Sequence, residues 1–319
     1  MNETNKSKST KAYPKNVKSG LKTFMANLPL TMLALPAVVF LFVFNYMPLY
    51  GLLIPFKDYK FNLGIIGSKW VGFNNFGFLF KSHDALKATA NTVLYNIAFI
   101  IIGTSLCILI ALMLFEMSRK VVTRSQTTLL LPYFLSWVVV SYALRAFLDM
   151  DYGLFNKIRE MFDLSPIMWY NEPKYWPVII ICAHVWKGMG YTSLIYYAAL
   201  MGADEEIYEA ARIDGAGKIA QIWKISIPTL KPMIGMMLIL NIGKLFSSDF
   251  GLFYNLPLNS TMLYSTTDVL STFTYRALIN MGDIGMSSAA SFYQSVVGFI
   301  LVLISNYIIK KVDQDSAML

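Results

Sequence analysis

The sequence predicts an all-α integral membrane protein with six transmembrane helices, and three observations support this fold class. Hydrophobic side chains make up 56% of the 319 residues and charged ones 14%, whereas roughly 25% of residues are charged in soluble domains. The apolar residues gather into separate runs of about 20, the length that crosses a hydrocarbon core of roughly 30 Å as a helix. The runs lack the alternation of membrane barrels, and lipid offers the backbone no hydrogen-bond partners, so each run is predicted to be helical.

Six runs are predicted to span the membrane, and they stay apolar on every face over lengths that disfavour a soluble helical protein. They cover residues 28–50, 90–115, 126–148, 176–201, 229–246 and 288–309. The first run follows a Lys-rich tail, yet it is too long for a signal peptide and no small-residue cleavage site follows it. We therefore expect an uncleaved anchor, with a cytoplasmic tail at 1–27, a six-span domain at 28–310 and a second cytoplasmic tail at 311–319.

The distribution of Lys and Arg predicts the orientation, because cationic segments resist translocation. The Lys-rich tail places the N-terminus in the cytoplasm, and six spans then place the C-terminus there with Lys310 and Lys311. The short loop with Arg119, Lys120 and Arg124 falls on the same side. The first outer loop opposes this bias, since it carries Lys57, Lys60, Lys69, Lys81 and Lys87. The net charge of +8 belongs to segments that flank spans, which favours anionic lipid over nucleic acid as the partner.

A polar loop at about residues 202–228 is predicted to form two short helices between the fourth and fifth spans. The first begins at three carboxylates that suit the positive end of a helix dipole, and Gly215 is expected to end it in a left-handed cap. The second is predicted from apolar residues at helical spacing, and Pro228 and Pro232 are expected to separate it from the fifth span. The residues concerned are Asp204, Glu205 and Glu206 in the first helix, and Ile219, Ile222, Trp223 and Ile227 in the second.

The same loop carries a motif. Glu209, Ala210 and Ala211 are followed after three residues by Gly215, and after nine more by Ile225-Ser226-Ile227-Pro228. This spacing resembles the EAA motif of the permeases of ABC importers, with Ile227 in place of the usual Leu. The resemblance implies that the loop docks on a cytoplasmic ATPase and transmits nucleotide-driven closure to the spans. The residues it assigns to ATPase coupling are Glu209, Ala210, Ala211, Gly215, Ile225 and Pro228.

Nucleotide binding by this loop itself is not expected. Gly217-Lys218 is similar to the end of a phosphate-binding loop, but Arg212 stands where the first Gly belongs and Ile219 where Ser or Thr should follow. The only histidines, His83 and His184, lie in no metal or nucleophile motif. We therefore expect no catalytic residue, metal site or cofactor in this chain, and the resemblance implies that a separate partner subunit uses ATP and Mg²⁺.

Further segments resemble the permeases of sugar importers. They are Trp70-Val71-Gly72-Phe73-Asn74-Asn75-Phe76 and Asn91-Thr92-Val93-Leu94-Tyr95-Asn96. Two others, at 249–254 and 267–276, resemble the branch associated with complex oligosaccharides and alginate-like or pectin-derived chains. The resemblance implies a multi-pass subunit of the cytoplasmic membrane that imports an oligosaccharide or polysaccharide fragment. Its implied partners are a second homologous permease, two ATPase subunits and an extracytoplasmic sugar-binding protein.

Polar and aromatic residues within the spans are candidates for the substrate path, because they are costly there unless they face a cavity or a partner. A lysine at the bilayer centre costs about 2.5 to 3.5 kcal/mol, so Lys187 is expected to line a cavity or to pair with a carboxylate. Sugars are held by aromatic rings and polar side chains, which makes the candidates Trp186, Lys187, Tyr191, Asn241 and Gln294. An amphipathic helix is also predicted between residues 154 and 162, where it would meet the binding protein.

The sequence leaves two other classes of membrane protein open. An ion-coupled secondary transporter usually places carboxylates within its spans or builds a midplane site from broken helices. Here Glu116, Asp149 and Asp249 fall at predicted span ends, and no two spans show matched Gly or Pro interruptions. A membrane-embedded enzyme has no motif to support it. Of the two, the secondary transporter is the main alternative to an ATP-driven importer.

Overall fold

The structure is a computed structural model that describes residues 27–312. It forms two compact units that divide between Leu53 and Ile54, and each is described by itself. The predicted cytoplasmic tails at 1–27 and 311–319 lie outside the described residues, apart from Asn27, Lys311 and Val312.

The first unit contains one continuous helical segment. Helix α1, Leu28–Leu41, runs into a π-helical turn, Phe42–Tyr46, and then into a 3-10 helix, Met47–Phe56, whose last residues belong to the second unit. The segment Thr31–Phe56 is long and apolar enough to cross a membrane. It extends past the predicted end at residue 50, because Leu52 to Phe56 continue the apolar run.

The second unit is mostly helical. Its α-helices are α2 Gly64–Gly67, α3 Gly77–Lys81, α4 His83–Ala98, α5 Thr104–Phe115, α6 Arg119–Phe134, α7 Trp137–Leu148, α8 Leu154–Glu160, α9 Trp176–Met201, α10 Glu205–Ile213, α11 Lys218–Gln221, α12 Ile227–Gly243, α13 Phe250–Asn255, α14 Tyr264–Thr267, α15 Leu270–Met281 and α16 Ile284–Val312. Shorter 3-10 turns lie at Asn74–Phe76, Trp169–Asn171, Pro173–Tyr175 and Thr261–Leu263. π-Helical turns at Phe99–Gly103 and Ile222–Ser226 join α4 to α5 and α11 to α12.

Within residues 27–312, five helical segments are long and apolar enough to cross a membrane. They are Thr31–Phe56, His83–Phe115, Pro173–Met201, Lys218–Gly243 and Ile284–Lys311. Helices α6 and α7 pass the same test only as a pair, and the pair is bent by 95°. The prediction of five of the six spans is therefore confirmed, and the remaining one corresponds to this bent helix pair.

The prediction of a single helix over residues 126–148 was wrong. Leu135 and Ser136 have extended backbone conformations, and they separate α6 from α7. Pro132 has no N–H to donate within the last turn of α6, and the Ser136 hydroxyl accepts a hydrogen bond from Val139 N at 3.3 Å. A side chain that caps a helix in this way favours a new helix start over continuation.

The prediction that two prolines separate the loop's second helix from the fifth span was also wrong. The chain is helical without a break from Lys218 to Gly243, although α12 contains Pro228 in its first turn and Pro232. Proline is tolerated in the first turn, where its missing N–H is least costly. The π-helical turn Ile222–Ser226 directly precedes it and accommodates the altered hydrogen-bond pattern.

The all-α prediction needs a small addition. Strand β1, Lys57–Asp58, pairs antiparallel with strand β2, Lys69–Trp70. The Asn75 amide fastens this hairpin, because its Nδ2 donates to the carbonyl oxygens of Pro55 and Lys57, both at 2.9 Å.

Helix α9 is the central helix of the second unit, with α5, α6 and α12 packed against it. A cluster of buried side chains, including Cys107, Tyr196, Leu200 and Leu230, surrounds the end of α9 next to the loop at 202–228. Helix α6 approaches so closely that a Cβ added to Gly190 would lie 1.8 Å from the carbonyl oxygen of Leu129. Glycine at this position therefore allows the backbones of α6 and α9 to touch.

Candidate functional site

The loop between α9 and α12 contains the first helix that the carboxylates predict. Helix α10 begins at Glu205, and its N-cap Asp204 accepts a hydrogen bond from Glu206 N at 3.0 Å. It ends at Ile213, and Gly215 follows with φ +78°. The Ala216 N–H then donates to the Ala211 carbonyl at 2.9 Å. These bonds satisfy the backbone groups at both ends, so α10 is a well-capped helix despite its length.

One face of α10 is exposed. Glu209 and Ala210 are exposed, Ala211 is partly so, and Ile207 and Ile213 expose 53% and 86% of their area. Two exposed isoleucines beside small side chains form a patch that another surface can approach closely. We call Ile207, Glu209, Ala210, Ala211 and Ile213 the α10 face.

The opposite side of α10 is fixed to the spans. Tyr208 is 4% exposed, its hydroxyl lies 3.1 Å from the Ser226 hydroxyl, and its ring contacts the Phe115 ring at a centroid distance of 5.3 Å. Lys218 pairs with Glu116 beside this contact. The loop is thus held both to the end of α5 and to the start of the α12 span.

Of the six predicted coupling residues, four lie on or just after α10, namely Glu209, Ala210, Ala211 and Gly215. Ile225 and Pro228 are partly buried at the junction of the π-helical turn with α12. Sequence reasoning missed Tyr208 and Ser226, which connect the two groups. The available signal was a large aromatic residue directly before Glu209.

Lys187 lies at the break between α6 and α7. Its Nζ donates to the Tyr133 carbonyl at 2.7 Å and lies 5.4 Å from the ring centroids of both Tyr133 and Trp137. The Tyr191 ring stacks on the Tyr133 ring at 4.8 Å. A carbonyl and two aromatic faces therefore meet the charge, in place of the carboxylate that was one of the expected partners.

A cavity of about 480 Å³ lies between α4, α5, α9 and the end of α12, and we call it the α9 cavity. Asn241, Lys244 and Asp249 line it from one side and Asn96 and His184 from the others. The His184 ring stacks on the Phe99 ring at 3.7 Å. The Asp249 carboxylate accepts a hydrogen bond from Trp137 Nε1 at 2.6 Å and another from Leu252 N at 3.3 Å.

A second cavity of about 640 Å³ lies between α12 and α16, and we call it the α12 groove. Gln294, Ser291 and Ser295 line it from α16, and Lys244 and Ser247 are shared with the α9 cavity. Together the two cavities surround the end of α12.

The five predicted substrate-path residues do not lie together in the structure. Asn241 lines the α9 cavity and Gln294 the α12 groove. Lys187 and Tyr191 meet Tyr133 at the helix break. Trp186 is 40% exposed and lines neither cavity. Sequence reasoning missed Lys244, which lies near the end of the predicted span 229–246 and resembles an ordinary lysine at a span end.

A buried ion pair joins the residue before Val269, the N-cap of α15, to the side chain of Arg276 in α15. Asp268 and Arg276 pair there, and their side chains are 11% and 15% exposed. Asp268 also accepts from the Thr272 hydroxyl at 2.6 Å. The Arg276 guanidinium lies 4.0 Å from the centroid of the Tyr264 ring. This network joins α14 to α15 and fixes the segment between α12 and α16.

Comparison with known proteins finds relatives that match most of this chain. It is 32% identical over 287 residues to the polygalacturonan/rhamnogalacturonan transport system permease protein YteP of Bacillus subtilis (strain 168), covering 90% of this chain and 89% of that protein.

Two solved structures are similar to this chain over most of its length. One is a chain of a bacterial ABC transporter involved in the import of the acidic polysaccharide alginate, with a TM-score of 0.84, 28% identity, and 92% of this chain and 99% of that chain covered. The other is a chain of a bacterial alginate ABC transporter in complex with an alginate pentasaccharide-bound periplasmic protein, with a TM-score of 0.83, 28% identity, and 92% and 98% covered.

The family model described as "binding-protein-dependent transport system inner membrane component" matches residues 85–314. That stretch includes α10 with its motif, both cavities and the helix break. The chain therefore belongs to the family of inner membrane components of binding-protein-dependent transport systems.

Proposed function

We propose that this protein is the permease subunit of an ATP-driven importer that moves an oligosaccharide or polysaccharide fragment across the cytoplasmic membrane. The observation that carries the proposal is the α10 face, which is exposed while Tyr208 and Lys218 hold the helix to the spans. A helix fixed on one side and open on the other suits the transmission of movement from a partner. Relatives that transport polygalacturonan, rhamnogalacturonan and alginate support a carbohydrate substrate.

Coupling to an ATPase is assigned to Glu209, Ala210, Ala211, Gly215, Ile225 and Pro228. The first three offer a charged anchor and small side chains to a docking surface, and Gly215 provides the left-handed turn. Ile225 and Pro228 begin the α12 span and receive the movement. ATP and Mg²⁺ are used by the partner ATPase, so hydrolysis takes place outside this chain.

The proposed assembly contains a second homologous permease, two ATPase subunits and an extracytoplasmic sugar-binding protein. The structure of a similar transporter with a substrate-loaded periplasmic protein supports the last of these. We place the α10 side in the cytoplasm together with both termini, because cations flank the spans there: Arg119 and Lys120 begin α6, and Lys310 and Lys311 end α16. The permease domain then spans residues 28–310 between two cytoplasmic tails.

The substrate path is proposed to run along the end of α12. Asn241 and Gln294 are the predicted residues that line its two cavities, where amide groups suit sugar hydroxyls. Lys187 and Tyr191 support the wall at the helix break, and Trp186 offers an exposed ring for stacking. The binding protein would dock at the other end of the molecule, where the Asp268 and Arg276 pair fixes the surface and α8 exposes apolar side chains.

The experiment that tests this function is uptake into liposomes that contain the permease pair and the ATPase. Oligogalacturonides loaded on the binding protein are supplied outside and ATP inside. We expect uptake that requires both ATP and the binding protein and that persists when ionophores collapse ion gradients. Uptake without the ATPase, driven by an ion gradient, would instead establish the secondary transporter.

A further inference from the structure

A cation without a partner lies between the two cavities. Lys244 is the residue directly after α12, its side chain is exposed, and it lines both the α9 cavity and the α12 groove. Among residues 27–312, no side-chain hydrogen bond or ion pair engages its ammonium group. Lys187, by contrast, has a carbonyl and two rings around its charge.

The backbone that presents Lys244 is held from two sides. The Asn96 amide donates to the carbonyl oxygens of Leu245 at 3.0 Å and Ser247 at 2.8 Å. Next in the chain, the Ser248 hydroxyl lies 2.7 Å from the Ser271 hydroxyl of α15. Helices α4 and α15 therefore fix the turn, so the origin of the lysine side chain is held at the cavity wall.

A second hydrogen-bond donor without an acceptor lies near Lys244. The amide nitrogen of Gln294, in the α12 groove, is buried and has no acceptor in the described part of the chain. The hydroxyls of Ser291 and Ser295 already donate within α16. Lys244 and Gln294 can donate but find no acceptor here, which suits a ligand rich in acceptors.

The one carboxylate that lines the α9 cavity is engaged elsewhere. Asp249 accepts from Trp137 Nε1 at 2.6 Å and from Leu252 N at 3.3 Å, and its distance from the Lys244 ammonium exceeds that of an ion pair. Both donors are neutral, so this carboxylate keeps its negative charge in the α9 cavity. Asp249 does not line the α12 groove, where Lys244 is the one charged residue of the lining.

We infer that Lys244 is a specificity-determining residue, and that it selects an oligosaccharide carrying carboxylates, such as a chain of uronic acids, over a neutral one. The inference rests on the proposed function. A carboxylate supplies the missing acceptor, and hydrogen bonds between charged partners are roughly twice as strong as neutral ones. Asn96 acts as the positioning residue, because it fixes the turn from which Lys244 projects.

A purely structural role would have a different signature. A lysine after the last turn of α12 also interacts favourably with the negative end of the helix dipole. If that were its only role, replacing Lys244 would destabilise the fold and weaken the binding of both sugars equally. The test therefore compares two sugars that differ only in charge. It uses trigalacturonic acid and the same trisaccharide with its carboxylates reduced to primary alcohols.

Binding of each sugar is measured by titration calorimetry on the complex of both permeases and the ATPase in nanodiscs, without binding protein. We expect the wild type to prefer the acidic sugar by about tenfold or more, Lys244→Gln to remove this preference, and Lys244→Arg to keep most of it. Lys231→Gln is the matched control, because Lys231 is an exposed lysine of α12 that lines neither cavity.

Three results would overturn the inference: no preference in the wild type, a preference that survives Lys244→Gln, or equal loss of both sugars in that variant. None of these three results would count against the proposed function, which is tested separately by ATP-dependent uptake into liposomes. If uptake in that assay is driven by an ion gradient without the ATPase, the proposed function fails whatever the calorimetry shows.

Discussion

The ammonium group of Lys187 donates to the carbonyl oxygen of Tyr133 at 2.7 Å, and this contact joins α9 to the end of α6. Helix α6 stops at Phe134, and the following extended residues leave its last carbonyls without helical partners. Within a membrane, water is not at hand to satisfy them. A cation at the negative end of the helix dipole is favourable, so the lysine and the helix break stabilise each other.

Replacing Lys187 with methionine should loosen the helix break. A hydrogen bond to a charged group contributes about 1.5 to 3 kcal/mol, so local opening should become about tenfold more frequent or more. Amide hydrogen exchange of peptides covering residues 133–140 measures this opening. Lys231→Met is the control, since the Lys231 side chain is exposed on α12. Unchanged exchange in Lys187→Met would show that the contact does not hold the break.

Gly190 should tolerate no side chain. An added Cβ would lie 1.8 Å from the Leu129 carbonyl oxygen, so Gly190→Ala forces α6 and α9 apart and should cost about 1 to 3 kcal/mol. Gly188→Ala is a close control, because nothing lies within 4 Å of a Cβ at that position in the same helix. Thermal unfolding of the two purified variants should differ clearly, and equal midpoints would refute the close packing.

Tyr208 and Ser226 should act together in coupling. Tyr208→Phe removes the contact between their hydroxyls but keeps the ring against Phe115, so the complex should assemble while stimulation of ATP hydrolysis falls severalfold. A neutral hydrogen bond contributes about 0.5 to 1.5 kcal/mol. Ser226→Ala should have a similar effect, and the double variant should be no worse than either single one.

Tyr142→Phe is the control for the tyrosine, because Tyr142 is 67% exposed on α7. Additive losses in the double variant would mean that the two hydroxyls act independently of each other.

The Asp268 and Arg276 pair should matter far more than an exposed pair. Removing one partner of a buried pair costs about 3 to 5 kcal/mol, so Asp268→Asn should strongly lower the unfolding temperature. Glu172→Gln breaks the pair that Glu172 forms with Lys174. The two side chains are 45% and 66% exposed, so this variant should change the unfolding temperature little. Equal unfolding temperatures for the two variants would contradict the structural role of the buried pair.

Hydropathy and helix-end signals predicted much of this architecture. The apolar runs identified five spans, because a membrane permits so few backbone arrangements. Asp204 and Gly215 identified the ends of α10 through local capping, which depends only on neighbouring residues. The same local signal was present at Ser136, but the apolar residues on both sides of it suggested a continuous span.

The contacts that build the candidate sites could not be predicted in the same way. Tyr208 meets Ser226 across 18 residues of chain, and Lys187 meets Tyr133 across 54. Neither pair has complementary charges or a fixed spacing that would mark it in the sequence. Lys244 acquires its significance only from two cavities whose walls come from several helices.

The most direct test of the central claim is ATP hydrolysis by the complete complex in liposomes, with wild type compared with Glu209→Ala. Glu209 is exposed on α10, and its side chain forms no hydrogen bond or ion pair within residues 27–312, so the variant should assemble normally. Lys120→Ala, at the start of α6, is an exposed control. We predict that stimulation by the loaded binding protein is lost in Glu209→Ala and kept in Lys120→Ala. Full stimulation and normal sugar uptake in the Glu209→Ala complex would contradict the assignment of the α10 face to ATPase coupling.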